Sequence, residues 1–197
     1  MSQPAPLLWK ARLGSVAVTA ATRRSDAALV RAAQRGSADA VEALFERHWP
    51  ALHHAAFLVV RDAAAAEDIA QEAFLAALRA LHGFDRRRPL GPWLHRIAVN
   101  RAIDHARARS LRRETDADPP ADRVVAPVAH DAFDDEVLAA LGALDADQRA
   151  VVVLRHLLEY TPGEIAELLD IPRGTVNSRL RRALDTLAGE LRSEVDP

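Results

Sequence analysis

The chain has 197 residues, no cysteine, a single lysine (Lys10) and a net charge of −2. The missing cysteine excludes disulfides, thiolate metal sites and a cysteine nucleophile, and makes a reducing compartment, the cytoplasm, the expected setting. No run approaches the ~20 apolar residues of a membrane helix, and the start MSQPAPLLWKARLGS puts its basic residue after the apolar patch, the reverse of a secretory signal.

Alanine- and leucine-rich windows of helical period, with few aromatic residues, predict an all-α fold. Residues 1–24 lack periodicity and read as a flexible extension. A short helix is expected over 25–34, stopped by Gly36; Ser37 then caps a longer helix to about residue 60, which Pro50 should kink or break. Asp62 caps a third helix that ends near Gly83. Its pairs Ile69/Ala70, Ala73/Phe74 and Ala77/Leu78, with Leu81, form one buried stripe, and Asp68, Gln71, Glu72, Leu75 and Arg79 form a second face opposite it.

The loop DRRRPLGP leads to a fourth helix, residues 93 to about 112. Trp93/Leu94, Ile97/Ala98, Ala102/Ile103 and Ala106 make its inner face; Arg96, Asn100, Asp104 and Arg107 make its outer one. On the apolar face, a core role for Trp93 is the simpler reading, although its ring is also of the type that stacks on bases. Charge is segregated along the chain. Residues 86–113 carry nine arginines against Asp104, a balance of +8, and residues 114–136 carry eight acids against Arg123, a balance of −7. A basic helix of this kind is the electrostatic footprint of a phosphate-backbone binder.

The Pro-, Asp- and Ala-rich segment that follows reads as a linker over 114–131, long enough for the flanking units to sit together or apart. Helices are then expected at about 132–143, 146–157, 162–169 and 173–190. The whole chain divides into the extension (1–24), a four-helix domain (25–113), the linker (114–131) and a second small helical domain (132–191). Within the last, Thr161 and Glu164 form a capping box with Pro162 at the first helical position. Asp170, Ile171 and Pro172 make a turn, and Val176, Leu180, Ala183/Leu184 and Leu187 bury the next helix. This is a helix-turn-helix pattern. Asn177, Ser178, Arg181 and Arg182 project from its far side, with Arg173, Thr175 and Arg179 nearby, and these are side chains that bind phosphates and base edges.

The segment EIAELLDIPRGTVNSRLRRAL resembles region 4 of the extracytoplasmic-function sigma factors, within the sigma-70 family of RNA polymerase subunits, and DQRAVVVLRHLLEY resembles the helix before it. EDIAQEAFLAAL resembles region 2, and PLGPWLHRIAVNRAIDHAR the helix that opens strands at the minus-ten element. Together the resemblances cover residues 26–113 and 132–190 in the family's order.

Several roles are implied by that resemblance. Asp68, Gln71, Glu72 and Leu75 would dock on the clamp coiled coil of the polymerase's largest subunit. Arg96, Asn100, Arg101 and Arg107 would serve minus-ten binding and strand opening, and the loop from Phe84 to Gly91 would hold an unstacked base. Arg173, Thr175, Asn177, Ser178, Arg179, Arg181 and Arg182 would read the minus-thirty-five element, with the domain also touching the polymerase flap. Asn177 stands where family members commonly carry Arg or Lys, which shifts the preferred base, since Asn pairs with adenine where Arg favours guanine. An anti-sigma partner that masks these faces is left open. The rival reading is an autonomous helix-turn-helix regulator. An enzyme is not expected: His48, His53 and His54 cluster, but no H-E-x-x-H pattern, phosphate-binding loop or nucleophile elbow accompanies them, and no catalytic residue, metal or cofactor is expected.

Overall fold

The computed structural model describes residues 25–115 and 135–193, with side chains over 25–112 and 138–190. The expected extension at 1–24 and all but the first two residues of the expected linker lie outside the described residues, as do 132–134 of the second domain.

Short polar side chains set most of the helix starts. Ser25 Oγ accepts from the Ala28 amide at 3.3 Å and opens α1 (Asp26–Ala33). Gly36, at φ +88°, turns the chain in a region that glycine alone enters freely, and Ser37 opens α2 (Ala38–Val60) by accepting from the Ala40 amide. The expected break at Pro50 does not occur: α2 is one 23-residue helix. Proline removes the donor to the Glu46 carbonyl, but Glu46 and Pro50 are both exposed, so water can serve that carbonyl.

Asp62 accepts from the Ala65 amide at 3.1 Å and opens α3 (Ala63–Ala80), which tightens into a 3₁₀ turn at Leu81–Gly83. The fourth helix, α4 (Leu90–Thr115), starts three residues before the expected position and runs two residues into the expected linker. Gly91 and Pro92 occupy its first turn, where amides have no intrahelical acceptor and a proline costs nothing. Then come α5 (Asp135–Gly142), α6 (Ala146–His156), α7 (Pro162–Leu169) and α8 (Arg173–Ser193). Reciprocal capping boxes, Asp145 with Gln148 and Thr161 with Glu164, open α6 and α7. Asp170, left-handed at φ 55°, ends α7 and turns the chain through Pro172 into α8. The described residues are helical and irregular, with no strand among them.

Two apolar clusters hold these helices. One joins Leu29 and Val30 of α1, Leu44 and Leu52 of α2, Phe74 of α3 and Leu94 of α4. The other begins with Phe57 to Val60 of α2 and Val99 and Ile103 of α4. It continues without interruption into Val151 and Leu154 of α6, Ile165 of α7, and Val176 and Leu180 of α8. Residues 55–60 are buried in succession, because the end of α2 has the first unit on one side and the second on the other; a helix apolar all round is buried all round. At the same seam the Arg61 guanidinium lies over Gly142, so closely that a Cβ there would fall 2.1 Å from Nη1. The two helical units therefore pack together around a shared core.

Candidate functional site

On α3 the expected second face is exposed in full: Asp68, Gln71, Glu72, Leu75 and Arg79 all reach solvent. Leu75 is 50% exposed, one of three large hydrophobic side chains so placed among the described residues. An exposed leucine beside carboxylates and an amide gives this face an apolar centre with a polar rim. Gln71 Nε2 donates to Glu67 Oε1 at 3.2 Å, and Glu72 accepts from Arg101 Nη1 at 3.0 Å. That last bond ties the acidic face of α3 to the basic face of α4. Phe45 of α2 packs edge-on against Phe74 and stacks on Trp49.

Along α4, Arg96 and Arg107 are exposed, and Asn100 and Arg101 are half-buried. Arg107 Nη2 donates to both carboxylate oxygens of Asp147, at 2.7 and 2.8 Å, and this bond holds the guanidinium pKa above its ordinary value. Arg109 is committed elsewhere, to the Asp62 cap at 3.2 Å. In the preceding loop the Arg87 amide donates to Asp85 Oδ1 at 3.0 Å, which lowers the Asp85 carboxyl pKa and folds the loop into a turn.

Trp93 rests on the first core and also pairs with Phe84, ring centroids 4.7 Å apart. Both line a cavity of about 570 Å³, together with Arg88 and Arg96 of the first unit and Tyr160, Glu164, Glu167 and Leu168 of the second. The core role expected of Trp93 therefore describes only part of its environment. His95, one residue along, is the one buried polar or charged residue described. Its Nδ1 lies 2.7 Å from the Tyr160 hydroxyl. Burial, with a smaller contribution from the charge of His48, lowers its pKa to about 4, and burial raises that of Tyr160 well above the phenol range.

On α8 the expected reading face divides. Arg173, Asn177, Arg181 and Arg182 are exposed, and Arg173, Asn177 and Arg181 stand one turn apart on one side. Thr175, Ser178 and Arg179 are half-buried. Ser178 Oγ donates to the Thr175 carbonyl at 2.9 Å, and Arg179 Nη1 lies 3.3 Å from Asp147 Oδ1. Sequence reasoning singled out neither Asp147 nor the His95 and Tyr160 pair. The clustered histidines have local partners: His48 bonds Asp26 at 3.0 Å and His53 stacks on Trp49. Among the described residues no group of three His, Cys, Asp or Glu side chains is placed to hold a metal ion, and no helix is long and apolar enough to cross a membrane.

A four-helix unit with an exposed acidic face and a basic helix, packed on a helix-turn-helix with a donor-rich outer face, is the architecture of a DNA-binding subunit of the transcription machinery. Family comparison gives the same class. Sigma-70 region 2 matches residues 44–112 and sigma-70 region 4 matches residues 134–187. The sigma factor SigM of Mycobacterium tuberculosis, of the extracytoplasmic-function (ECF) group, is 37% identical over 168 residues, 84% of each chain. Two solved structures share the fold. The sigma factor RpoE of Bartonella quintana, solved with the anti-sigma factor NepR, gives a TM-score of 0.65 at 25% identity over 79% of this chain and 98% of that one. CnrH, solved with the cytosolic domain of CnrY, gives 0.62 at 29% identity over 87% and 99%. The chain belongs to the ECF sigma factors. Its function is that of a sigma factor, directing RNA polymerase core to promoters and promoting strand opening.

Proposed function

We propose that this function is divided among three faces and two domains, residues 25–113 and 132–191. Asp68, Gln71, Glu72 and Leu75 dock on the clamp coiled coil of the polymerase's largest subunit. Arg96, Asn100, Arg101 and Arg107 guide the opened strand at the minus-ten element, where a basic groove and a stacking site offset the cost of unstacking a base. Arg173, Thr175, Asn177, Ser178, Arg179, Arg181 and Arg182 read the minus-thirty-five element, and the same domain meets the flap. The roles within that last set differ: the exposed Arg173, Asn177, Arg181 and Arg182 reach base edges or phosphates, whereas Ser178, bonded to its own helix, acts by shaping it. The chain itself performs no covalent chemistry, works in the cytoplasm, and is open to control by a partner of the anti-sigma kind.

The observation that carries this reading is the fully exposed α3 face, with Leu75 half out of the core, beside a helix whose arginines have acidic partners in place of phosphates. Titration of core polymerase tests it. Asp68→Ala with Gln71→Ala should weaken core binding about tenfold, the loss of roughly two interface hydrogen bonds, with helicity and unfolding midpoint unchanged. A chain that never associates with core, yet footprints an operator tightly alone, would be an autonomous regulator.

A further inference from the structure

The loop from Phe84 to Gly91 is held at its start by a residue far from it in sequence. Gln34, half-buried, caps the end of α1. Its Nε2 donates to the Leu81 carbonyl at 2.9 Å and to the Phe84 carbonyl at 3.2 Å, 47 and 50 residues further along the chain. The nitrogen of a glutamine amide carries two hydrogens, so one side chain serves both acceptors. The two carbonyls also fix which way round the amide stands, since its own oxygen would meet theirs lone pair to lone pair. The Leu81 carbonyl accepts from the Phe84 amide as well, at 3.0 Å, so the 3₁₀ turn and the Gln34 bond fasten the same point.

These carbonyls bracket the place where the chain leaves α3 for the loop. Carbonyls at a helix C-terminus have no partner within the helix, and water serves them as well as an amide does; what the amide adds is a fixed position relative to α1. Phe84 is the residue so fixed. Its ring centroid lies 4.7 Å from that of Trp93, and both rings line the cavity with Arg88 and Arg96. An aromatic surface with guanidinium groups beside it suits a base and its phosphate. Further along, Asp85 to Arg88 are exposed and bonded among themselves, the Arg88 amide to the Asp85 carbonyl at 2.9 Å and the Arg87 amide to the Asp85 carboxylate at 3.0 Å. Those bonds shape the loop locally, whereas the Gln34 bonds tie its start to another helix.

We propose that Gln34 is a positioning residue for strand opening: by bonding Leu81 and Phe84 it sets the Phe84 ring against Trp93 before DNA arrives, so that an unstacked base meets a surface already formed. Gln34 itself touches neither DNA nor polymerase. Its effect falls on the opening step, because a preorganised loop has less to order when it captures the base, and docking and duplex binding are left alone. The inference rests on the reading of the loop from Phe84 to Gly91 as the holder of that base.

Holoenzyme reconstituted from the full chain and core polymerase reports opening through a fluorescent adenine analogue in the minus-ten element of a promoter it transcribes, which brightens when unstacked. Gln34→Met keeps the length of the side chain and removes its donors. It should lower the opening equilibrium about tenfold, the loss of two hydrogen bonds of ordinary net strength, with affinities for core and for the same duplex in the cold within about twofold of the wild type. Ser25→Ala removes the cap at the other end of α1 and loosens the same helix without touching the turn, so it should open DNA as the wild type does. Opening as in the wild type by Gln34→Met would overturn the proposal, and an equal loss in Ser25→Ala would do the same by showing that only the stability of α1 matters. Phe84→Ala should also lower opening, and adding Gln34→Met to it should bring no further loss, since both act through one ring; losses that multiply would contradict the positioning role alone. Unimpaired opening in Phe84→Ala would instead remove the reading of the loop as a base holder, and the positioning role with it.

Discussion

The outer face of α3 and the outer faces of α4 and α8 are built from similar materials, charged side chains on amphipathic helices, and yet they are in different states. Asp68, Gln71 and Leu75 are exposed, and the bond from Gln71 to Glu67 stays within α3. Arg101, Arg107 and Arg179 are each paired with an internal acid. Exposed pairs of this sort contribute only about 0–1 kcal/mol each, so they do not hold the molecule together; the apolar cluster running from Phe57 to Leu187 does. The pairs decide which surface is on offer. On the proposed division of faces, the α3 surface is on offer while the α4 and α8 arginines are occupied.

The largest perturbation of that contrast is at the shared core. Phe57 is 2% exposed, and Phe57→Ala should cost about 3–5 kcal/mol of stability in urea unfolding. Because its cluster spans both units, amide exchange should quicken in α6 and α7 as well as in α2. Exchange confined to α2 would mean that the units fold independently and that the seam is incidental.

A smaller effect, but one aimed at the seam, comes from pH. His95 has a folded pKa of about 4 against an ordinary 6.5, so the state that exposes it binds the extra proton and the packed state loses stability as pH falls through that window. His48 on α2 is the charge that adds to this lowering, and the Tyr160 hydroxyl of the second unit is the group His95 meets directly. Between about pH 7 and about pH 5 the loss should be about 2 kcal/mol. His95→Gln should flatten the dependence of the urea midpoint, whereas an unchanged slope would place the acid sensitivity elsewhere.

Much of the fold was legible because local rules agreed with the final structure. Ser25, Ser37, Asp62 and Thr161 each cap the helix that follows them, and the α3 stripe from Ile69 to Leu81 is buried or nearly so at every expected position. The misreadings share a cause. Pro50 was judged by the general rule against proline in helices but sits at a wet surface, and the loop assigned up to Pro92 gives its last residues to the first turn of α4, where a missing donor has little to lose. His95 and Val99 lie off the apolar stripe of α4 and looked ordinary; they are buried because a second surface of α4 meets the other unit.

Asp147 was illegible for a similar reason. In sequence it is an acid in the first turn of a helix, where the helix dipole alone explains it. Only the meeting of α4, α6 and α8 gives it two arginines. The one local signal of that meeting was AAFLVV at the end of α2, six buried residues in succession with no polar side. On the recognition helix, Asn177, Arg181 and Arg182 were placed correctly on the outer side, while the half-buried setting of Arg179 depended on Asp147.

The central claim is that polymerase docking and upstream DNA reading reside on separate surfaces of one sigma factor. Footprinting of reconstituted holoenzyme on a promoter it transcribes, with Arg181→Ala and Arg182→Ala combined in α8, tests it most directly. The account predicts loss of protection at the upstream element, with the affinity for core polymerase within about twofold of the wild type. Equal loss of core binding and upstream protection, or full protection by the variant, would contradict it.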